Sequence, residues 1–342
     1  MSSPPTWPQR LVDRSPVVSS QHLLAALVPP PQFAGVDFDS YIPNPEFPSQ
    51  AAAVEAMRVF ATRVGTAEPV RRSWFRRAPT PPEMRSGIYL DGGFGVGKTH
   101  LLAALWHGVP EPKVFCTFVE LTYFVGALGF ATAVDRLGDT RLLCIDEFEL
   151  DDPGDTVLMS SLLTQLVERG VNLAATSNTL PGKLGEGRFA ADDFLREIQQ
   201  LSAQFDVIRV DGADYRHREL ATPPEPLSAA DLEAVMSAAG EGAVLDDFGA
   251  LLAHLANVHP SQYGALLEGV SAVGWRGVRT IDDQAIGLRM VVLIDRLYDR
   301  GLSVHTSGVR LDQLFSAELV NSGFRKKYLR ALSRIGALTD AG

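Results

Sequence analysis

The sequence predicts an α/β fold, in which a parallel sheet is flanked by helices and followed by a mainly helical C-terminal domain. From Gly87 onward, apolar strand-like runs alternate with helical stretches, a pattern typical of a parallel sheet with helices on both faces. A glycine-rich turn follows the first apolar run and opens a helix. Beyond residue 228, apolar residues recur at helical spacing, as at Met290, Leu293 and Leu297.

Length and composition indicate a globular protein with one large or two ordinary domains. The chain has 342 residues, and its hydrophobic content of 46% is ample for a packed core. The formal net charge of −10 argues against binding nucleic acid or an anionic membrane over the whole surface, although it leaves a local basic patch open. Cys116 and Cys144 lie in apolar runs, which favours buried thiols over a disulfide or a metal site.

The sequence also lacks the patterns of membrane insertion and secretion. We find no transmembrane segment, since no stretch approaches the roughly 20 apolar residues that span a bilayer. Arg10 and Arg14 precede no long apolar segment of the kind a secretory signal has. We therefore expect a cytoplasmic protein.

The segments before the sheet have distinct compositions. Residues 1–48 are punctuated by prolines and predict an extended arm that lies on the body of the protein. A helix is expected to begin at Ser49, a candidate N-cap behind Pro48, and to end near Val64. Residues 67–86, which include the basic stretch Arg71 to Arg77, predict a loop because prolines interrupt them.

We expect five strands in the core, at residues 87–91, 114–119, 141–146, 171–176 and 206–210. Between Asp211 and Ser228 the chain turns polar and rich in proline, which predicts a domain boundary. The expected organisation is therefore an N-terminal arm (1–48), an α/β core (49–212) and a mainly helical C-terminal domain (213–342).

The glycine-rich turn has the complete pattern G-x-x-x-x-G-K-[ST], formed by Gly92, Gly93, Phe94, Gly95, Val96, Gly97, Lys98 and Thr99. Glycines let the backbone N–H groups curl around phosphates, where a Cβ would block the approach. Lys98 adds a positive charge, Thr99 offers a hydroxyl to Mg²⁺, and the following helix presents its positive end to the anion. These residues and the adjacent His100 predict a binding site for a nucleoside triphosphate with Mg²⁺.

Two acids end the third predicted strand, Asp146 and Glu147. In enzymes with a phosphate loop, an acid at this place supports Mg²⁺ and a second one orients and deprotonates the attacking water. The alternative is a strand that simply ends in solvated carboxylates. The phosphate loop upstream favours Asp146 as a metal support and Glu147 as the catalytic base.

The fourth predicted strand ends in Thr176, Ser177 and Asn178. An amide at the tip of a strand beside the catalytic one can hold the water or contact the γ-phosphate, because it is both a donor and an acceptor. Alone, these residues could equally form the turn before Pro181. Together with the phosphate loop and the acidic strand end, they favour Asn178 as a sensor of the γ-phosphate.

Two arginines are candidates for contacting the transferring phosphoryl group. Arg188 lies in a glycine-rich approach to a helix and could reach the γ-phosphate of a neighbouring subunit. A surface pair with Glu186 or Asp192 explains it nearly as well. Arg289, on the apolar-striped C-terminal helix, is a candidate second sensor, and the alternative is an ordinary exposed arginine.

The motifs together resemble those of the ZapE family of AAA+ ATPases, bacterial cell-division proteins with mitochondrial relatives. The resemblance runs from about Phe38 almost to the C-terminus, and it rests on Gly92 to Thr99, Cys144 to Phe148, Ala174 to Asn178, Asp214 to Arg216 and Leu293 to Asp299. It implies a AAA+ core with a helical lid, ATP hydrolysis, and in bacteria an association with the FtsZ division ring. Arg188 matches the arginine of the family at the corresponding place.

This chain departs from the pattern of the family at two places. Many members have two adjacent arginines where this chain has Leu288 and Arg289, so that only Arg289 could act as second sensor. Val96 stands where the phosphate loop of the family often has arginine, with no evident cost to phosphate binding.

The leading hypothesis is an ATP-hydrolysing AAA+ protein, assembled as a homo-oligomer with shared sites, that remodels a protein partner such as FtsZ. The alternative is a nucleic-acid-associated switch similar to initiator or helicase-loader ATPases, which would use the loop from Arg71 to Arg77.

A row formed by Lys326, Arg330 and Arg334 could likewise contact nucleic acid, or form a solvated face. Tyr123 to Gly126 could form a pore loop, although their spacing favours the buried side of a helix. No Asn-Lys-x-Asp motif supports a GTPase.

Overall fold

Two compact units make up the chain. One consists of Ser20–Pro29 and Phe33–His217, and the other of Met1–Ser19, Pro30–Gln32 and Arg218–Gly342. The structure, a computed structural model, describes residues 8–16, 24, 27–66, 85–93, 95–150, 153–184, 194–212 and 223–339, without the side chains of Ser261 and Lys326. The expected N-terminal arm is therefore shared between the two units.

A five-stranded parallel sheet forms the centre of the first unit. Its strands, in the spatial order β2-β3-β4-β1-β5, are β1 (Gly87–Gly92), β2 (Lys113–Thr117), β3 (Leu142–Asp146), β4 (Asn172–Ser177) and β5 (Phe205–Val210). All five predicted strands are present, with ends within two residues of the predicted ones. Because β4 lies between β1 and β3, the carboxyl ends of these three strands meet at one edge of the sheet.

Helices cover both faces of this sheet, as the alternation of apolar runs and helical stretches predicts. They are α1 (Pro48–Thr66), α2 (Lys98–Gly108), α3 (Phe118–Leu128), α4 (Phe130–Leu137), α5 (Pro153–Glu168) and α6 (Leu195–Ser202). Helices α1 and α2 pack with Ile88 and Leu90, whereas α3, α4 and α5 pack with Tyr89 on the opposite face. The predicted helix from Ser49 corresponds to α1, and Cys116 and Cys144 are buried free thiols in β2 and β3.

The second unit is also an α/β structure. Its strands β6 (Ala243–Asp247), β7 (Ala272–Val278) and β8 (Ser303–Gly308) form a parallel sheet in that order. Its helices are α7 (Ala229–Ala238), α8 (Phe248–Asn257), α9 (Tyr263–Leu266), α10 (Gln284–Asp299), α11 (Ala317–Val320) and α12 (Arg325–Thr339). Most residues of its regular secondary structure are in helices. The expectation of a mainly helical lid did not include the three-stranded sheet. Short apolar runs cannot be assigned to strand or helix by periodicity alone.

Part of the N-terminal arm is built into the second unit. Gln9 forms a parallel bridge with Val244 of β6, and Leu11 is buried in the core. The carboxylate of Asp246 accepts hydrogen bonds from the backbone N–H groups of Leu11 and Val12, at 3.0 and 3.1 Å. Residues 9–12 are thus held by backbone pairing as well as by apolar burial.

Helix α3 contains the segment that could have formed a pore loop. Phe124 and Val125 are buried in the core of the first unit, as their helical spacing favours. Within the described residues, no single helix is long and apolar enough to cross a membrane. Helices α3 and α4, which are bent by 119° at their junction, are long and apolar enough only when they are taken together.

Candidate nucleotide site

The phosphate loop connects the end of β1 to the start of α2. Gly95 and Gly97 have φ angles of +75° and +83°, in the left-handed region that favours glycine. The Nζ atom of Lys98 donates to the carbonyl oxygens of Gly92, at 2.9 Å, and Gly93, at 2.6 Å. The lysine side chain therefore folds back over its own loop, where bound phosphates would lie.

Lys98 and Asn178 are in direct contact. The Oδ1 atom of Asn178 accepts a hydrogen bond of 2.9 Å from the Lys98 Nζ. Asn178 directly follows β4, the neighbour of β1, so that the parallel order of the strands brings the two side chains together. The sequence placed Asn178 at a strand end and Lys98 at the start of the helix that follows β1, and the strand order explains their contact.

Burial lowers the pKa of Lys98 to about 8, although the charges of Asp146, Asp91 and Glu147 oppose this shift. Arg209 adds to the lowering by repulsion. A desolvated ammonium group gains from a nearby anion because it has lost much of its hydration. The site is therefore electrostatically suited to a phosphate group.

Asp146 and Thr99 form the second part of the site. The Oγ1 atom of Thr99 lies 3.2 and 3.1 Å from the two carboxylate oxygens of Asp146. Asp146 is only 6% exposed, so that its carboxylate is held at a buried strand end. A hydroxyl and a carboxylate are hard oxygen donors of the kind that Mg²⁺ takes, and this donor set fits the ion.

Thr176 orients the two acids, a role that the sequence motifs did not indicate. Its hydroxyl donates to Asp146 and accepts a hydrogen bond of 3.1 Å from the backbone N–H of Glu147. Its carbonyl accepts a bond of 2.7 Å from the N–H of Phe148. Glu147 has a φ of +53°, the one positive φ of a non-glycine residue in the described part of the chain. Thr176 thereby holds Glu147 in a backbone conformation that costs about 1 kcal/mol or more.

The N-terminal arm contacts the phosphate loop. The hydroxyl of Tyr41 donates to the carbonyl of Val96 at 2.7 Å, and a Cβ at Gly97 would lie 2.5 Å from the Tyr41 Cε2 atom. The Nε2 atom of His100 lies 2.9 Å from the Oγ of Ser40. No motif marks Tyr41 or Ser40, and only the expectation that the arm lies on the body pointed to this region.

A cavity of about 360 Å³ lies between residues 40–50 of the arm and α1 and the phosphate loop. Gly95, Val96, Gly97, His100 and Gly212 line its loop side. Ile42, which lines the opposite side, is 88% exposed and offers an apolar surface to a ligand. The volume is within the range of small-molecule pockets and suits a nucleoside.

Gln50 connects the two walls of this cavity. Its Oε1 atom accepts from the backbone N–H of Asn44 at 2.8 Å, and its Nε2 atom donates to the carbonyl of Asp211 at 2.7 Å. Gln50 is a buried polar residue whose amide is satisfied by these backbone groups. Sequence reasoning missed Gln50 because its role depends on two distant backbone segments.

Several predicted site residues lie elsewhere. Phe94, Arg188 and the loop from Arg71 to Arg77 are outside the described residues. The Nη1 atom of Arg289 donates to the carbonyls of Leu255 and Val258, at 2.9 Å each, and so caps the end of α8. A structural role for Arg289 follows, and its role as second sensor stays a prediction.

Two arginines of the basic row on α12 are paired within the second unit. Arg330 donates to one carboxylate oxygen of Asp295 at 2.6 Å, and Arg334 donates at 2.5 Å to the other. Asp295 lies in the stretch from Leu293 to Asp299 that carries the family resemblance. These two arginines therefore bind a buried acid of α10.

Comparisons with known proteins give the family that this chain matches. A model of the AFG1-like ATPase family matches residues 17–235 and 224–342. The cell division protein ZapE of Escherichia coli strain K12 is 34% identical over 163 residues, which are 44% of this chain and 44% of that protein. Lactation elevated protein 1 homolog B of Danio rerio is 32% identical over 167 residues, 42% of this chain and 32% of that protein. The matched parts are thus less than half the length of each relative.

Among solved structures, the chain is similar to DnaI, with a TM-score of 0.40 and 18% identity, over 53% of this chain and 94% of that one.

Proposed function

The chain belongs to the AFG1-like ATPase family, and on this premise we propose that it binds ATP with Mg²⁺ and hydrolyses it to ADP and phosphate. The observation that carries the proposal is the convergence of Lys98, Asn178, Thr99 and Asp146 at the edge where β1, β3 and β4 end. Phosphoryl transfer needs a cation for the phosphates beside oxygen ligands for Mg²⁺, and Lys98 lies beside the hydroxyl of Thr99 and the buried carboxylate of Asp146.

Each residue would have a distinct task in the reaction. Thr99 and Asp146 would hold Mg²⁺, which when bound neutralises charge on the phosphate oxygens. Lys98 binds the phosphates, while Asn178 at its side orients the attacking water or contacts the γ-phosphate. Glu147 accepts the proton of that water. The cavity beside Tyr41 and Gln50 receives the adenosine part.

The direct test measures ATP binding by calorimetry and phosphate release. The unmodified chain is expected to bind ATP and to release phosphate, whereas Lys98→Met is expected to lose both. Lys183→Met, which changes an exposed lysine of the same unit, is the matched control and should behave like the unmodified chain. Equal ATP affinity in Lys98→Met and the control would contradict the proposal.

We further propose that the active form is a homo-oligomer in which Arg188 reaches the ATP of a neighbouring subunit. An arginine supplied in trans stabilises the charge of the transferring phosphoryl group and is worth about 10³ to 10⁵ in rate. Activity per subunit should then rise with protein concentration across the assembly range. A constant activity per subunit would exclude a shared site.

For the physiological role, we propose that ATP turnover remodels a protein partner in the cytoplasm, with the FtsZ division ring as first candidate. The supporting finding is the relative in Escherichia coli, which is named for cell division. Glu147→Gln should bind ATP and retain the partner in a pull-down, and Lys98→Met should not. Absence of FtsZ from the retained proteins would remove this candidate.

A nucleic-acid-associated switch is the second candidate class, and among the residues that the structure describes no specific contact favours it. Two of the basic residues considered for it, Arg330 and Arg334, are paired with Asp295. Binding of single-stranded DNA that weakens steeply with salt would be its signature.

A further inference from the structure

A buried carboxylate lies directly before the phosphate loop. Asp91, the residue that precedes Gly92 in β1, is only 2% exposed. A negative charge at this place repels the phosphates that the loop is built to receive, and burial makes such a charge act over a longer distance than in water. The structure therefore needs a group that compensates Asp91.

Arg209 supplies the compensating charge. It stands opposite Asp91 in the register of β1 and β5, and its Nη1 atom donates to the Asp91 carboxylate. Its Nε atom donates to the Oδ1 atom of Asp211 at 2.9 Å. The charges of both Asp91 and Arg209 also act on the Lys98 ammonium, one raising and the other lowering its pKa.

We propose that Arg209 is a positioning residue for nucleotide binding, which neutralises Asp91 so that the phosphate loop can accept a triphosphate. The proposal rests on the proposed function, since it assigns a residue to the same ATP site. Arg209 lies outside the phosphate-loop pattern, because it belongs to the edge strand β5. Its partner Asp91 precedes Gly92, the first glycine of the pattern.

The same arginine supports a wall of the nucleoside cavity. Asp211, held by Arg209, donates its backbone N–H to the Oγ of Ser49 at 2.9 Å and accepts from Gln50 at 2.7 Å. Gly212, the next residue, lines the cavity. Loss of Arg209 could thus act through charge or through the wall, and these two effects differ in how they depend on the ligand.

A charge effect grows with the number of phosphates, whereas a wall effect is the same for ATP, ADP and AMP. We therefore measure the affinity for all three nucleotides by calorimetry in EDTA, so that no metal enters the comparison. Arg209→Gln is expected to weaken ATP binding about tenfold, ADP binding less and AMP binding least, since one uncompensated charge near a polyanion costs about 1.4 kcal/mol.

Removing the charge of Asp91 should have the opposite effect. Asp91→Asn removes the negative charge nearest the loop and leaves Arg209 paired with Asp211 alone, so ATP affinity is expected to rise about threefold. The double variant Asp91→Asn with Arg209→Gln should bind ATP within about threefold of the unmodified chain, because the repulsion and its compensation disappear together. Asp91→Asn and the double variant test whether Arg209 compensates Asp91 even if Arg209→Gln alone does not fold.

Arg85→Gln is the matched control. Arg85 pairs with Asp206 at the opposite end of β5, with 3.8 Å between its Nε and the carboxylate, so that the variant loses an ion pair of the same strand away from the loop. Its nucleotide affinities should match those of the unmodified chain.

The outcomes separate the two proposals. Failure of the unmodified chain to bind ATP would contradict the proposed function itself. If the unmodified chain binds ATP, an equal loss for ATP, ADP and AMP in Arg209→Gln, or a fall in ATP affinity in Asp91→Asn, would overturn the role assigned to Arg209.

Discussion

Replacing Thr176 by valine tests how the two acids are held. Valine has nearly the shape of threonine but lacks the hydroxyl that binds both Asp146 and the N–H of Glu147. Thr176 is only 2% exposed, so water cannot easily take the place of the hydroxyl. Thr176→Val therefore removes two hydrogen bonds and leaves the cavity almost unchanged.

The size of the effect follows from these two contacts. A hydrogen bond to a charged carboxylate is worth about 1.5 to 3 kcal/mol, and an orphaned buried N–H costs about 1 to 3 kcal/mol. Since Asp146 keeps its contact with Thr99, we take the lower end of both ranges. We expect Thr176→Val to lower the free energy of unfolding by about 2 to 4 kcal/mol.

The matched control is Thr176→Ser, which keeps the hydroxyl and removes a methyl group. It should cost about 1 kcal/mol by loss of buried apolar surface. Urea unfolding measures the stability of both variants, and phosphate release measures their activity. Thr176→Val should hydrolyse ATP more slowly than Thr176→Ser, because Glu147 loses the bond that fixes its left-handed backbone. Equal stability and equal turnover in the two variants would refute the role assigned to Thr176.

Three further changes test other parts of the structure. Gly97→Ala is expected to weaken ATP binding in calorimetry, because φ is +83° and the new Cβ would lie 2.5 Å from Tyr41. Gly126→Ala is its control and should bind ATP normally, because a Cβ at Gly126 would have no heavy atom within 4 Å. Arg289→Met should lower the free energy of unfolding in urea by about 2 kcal/mol, because two carbonyl groups at the end of α8 lose their donor. Its control is Arg279→Met on the surface, which should change the free energy of unfolding by less than about 0.5 kcal/mol. Burial raises the pKa of Asp295, but Arg330 and Arg334 lower it more, so that it lies below the ordinary value of 3.8. Its ion pairs therefore contribute stability above pH 3.8, which is lost as the pH falls through the lower folded-state pKa. Asp295→Asn should cost about 3 to 5 kcal/mol at pH 7, with a smaller difference from the unmodified chain in unfolding experiments below pH 4. A difference that does not depend on pH would contradict the charged pairing.

The strands of the first sheet could be predicted because strands buried on both faces appear as continuous apolar runs. Leu142 to Ile145 is such a run, and its length is too short for a helix between turn residues. In the second unit, β8 reads Ser303-Val304-His305-Thr306, with polar residues in alternation and no turn motif to mark it as a parallel strand. The prediction for that unit therefore rested on the helical spacing of apolar residues around Met290, which indicates helix and gives no sign of a sheet.

The site could be predicted only where one short segment carries the chemistry. Lys98 lies in the phosphate loop after β1, while Asp146 and Asn178 lie in motifs at the ends of β3 and β4, and the strand order brings the three together. Tyr41 bonds to the carbonyl of Val96, and Gln50 bonds to the carbonyl of Asp211, across long sequence separations. Such contacts have no local pattern, since any tyrosine of the arm or glutamine of α1 would appear the same in the sequence.

The most direct test of the proposed ATPase site compares binding and single-turnover hydrolysis of ATP in the unmodified chain and Glu147→Gln. The amide keeps the shape of the side chain but cannot accept a proton from water. We expect ATP affinity within about threefold of the unmodified chain and hydrolysis slowed by about hundredfold or more. Hydrolysis at the unmodified rate in Glu147→Gln would contradict the assignment of the catalytic base and with it the proposed mechanism.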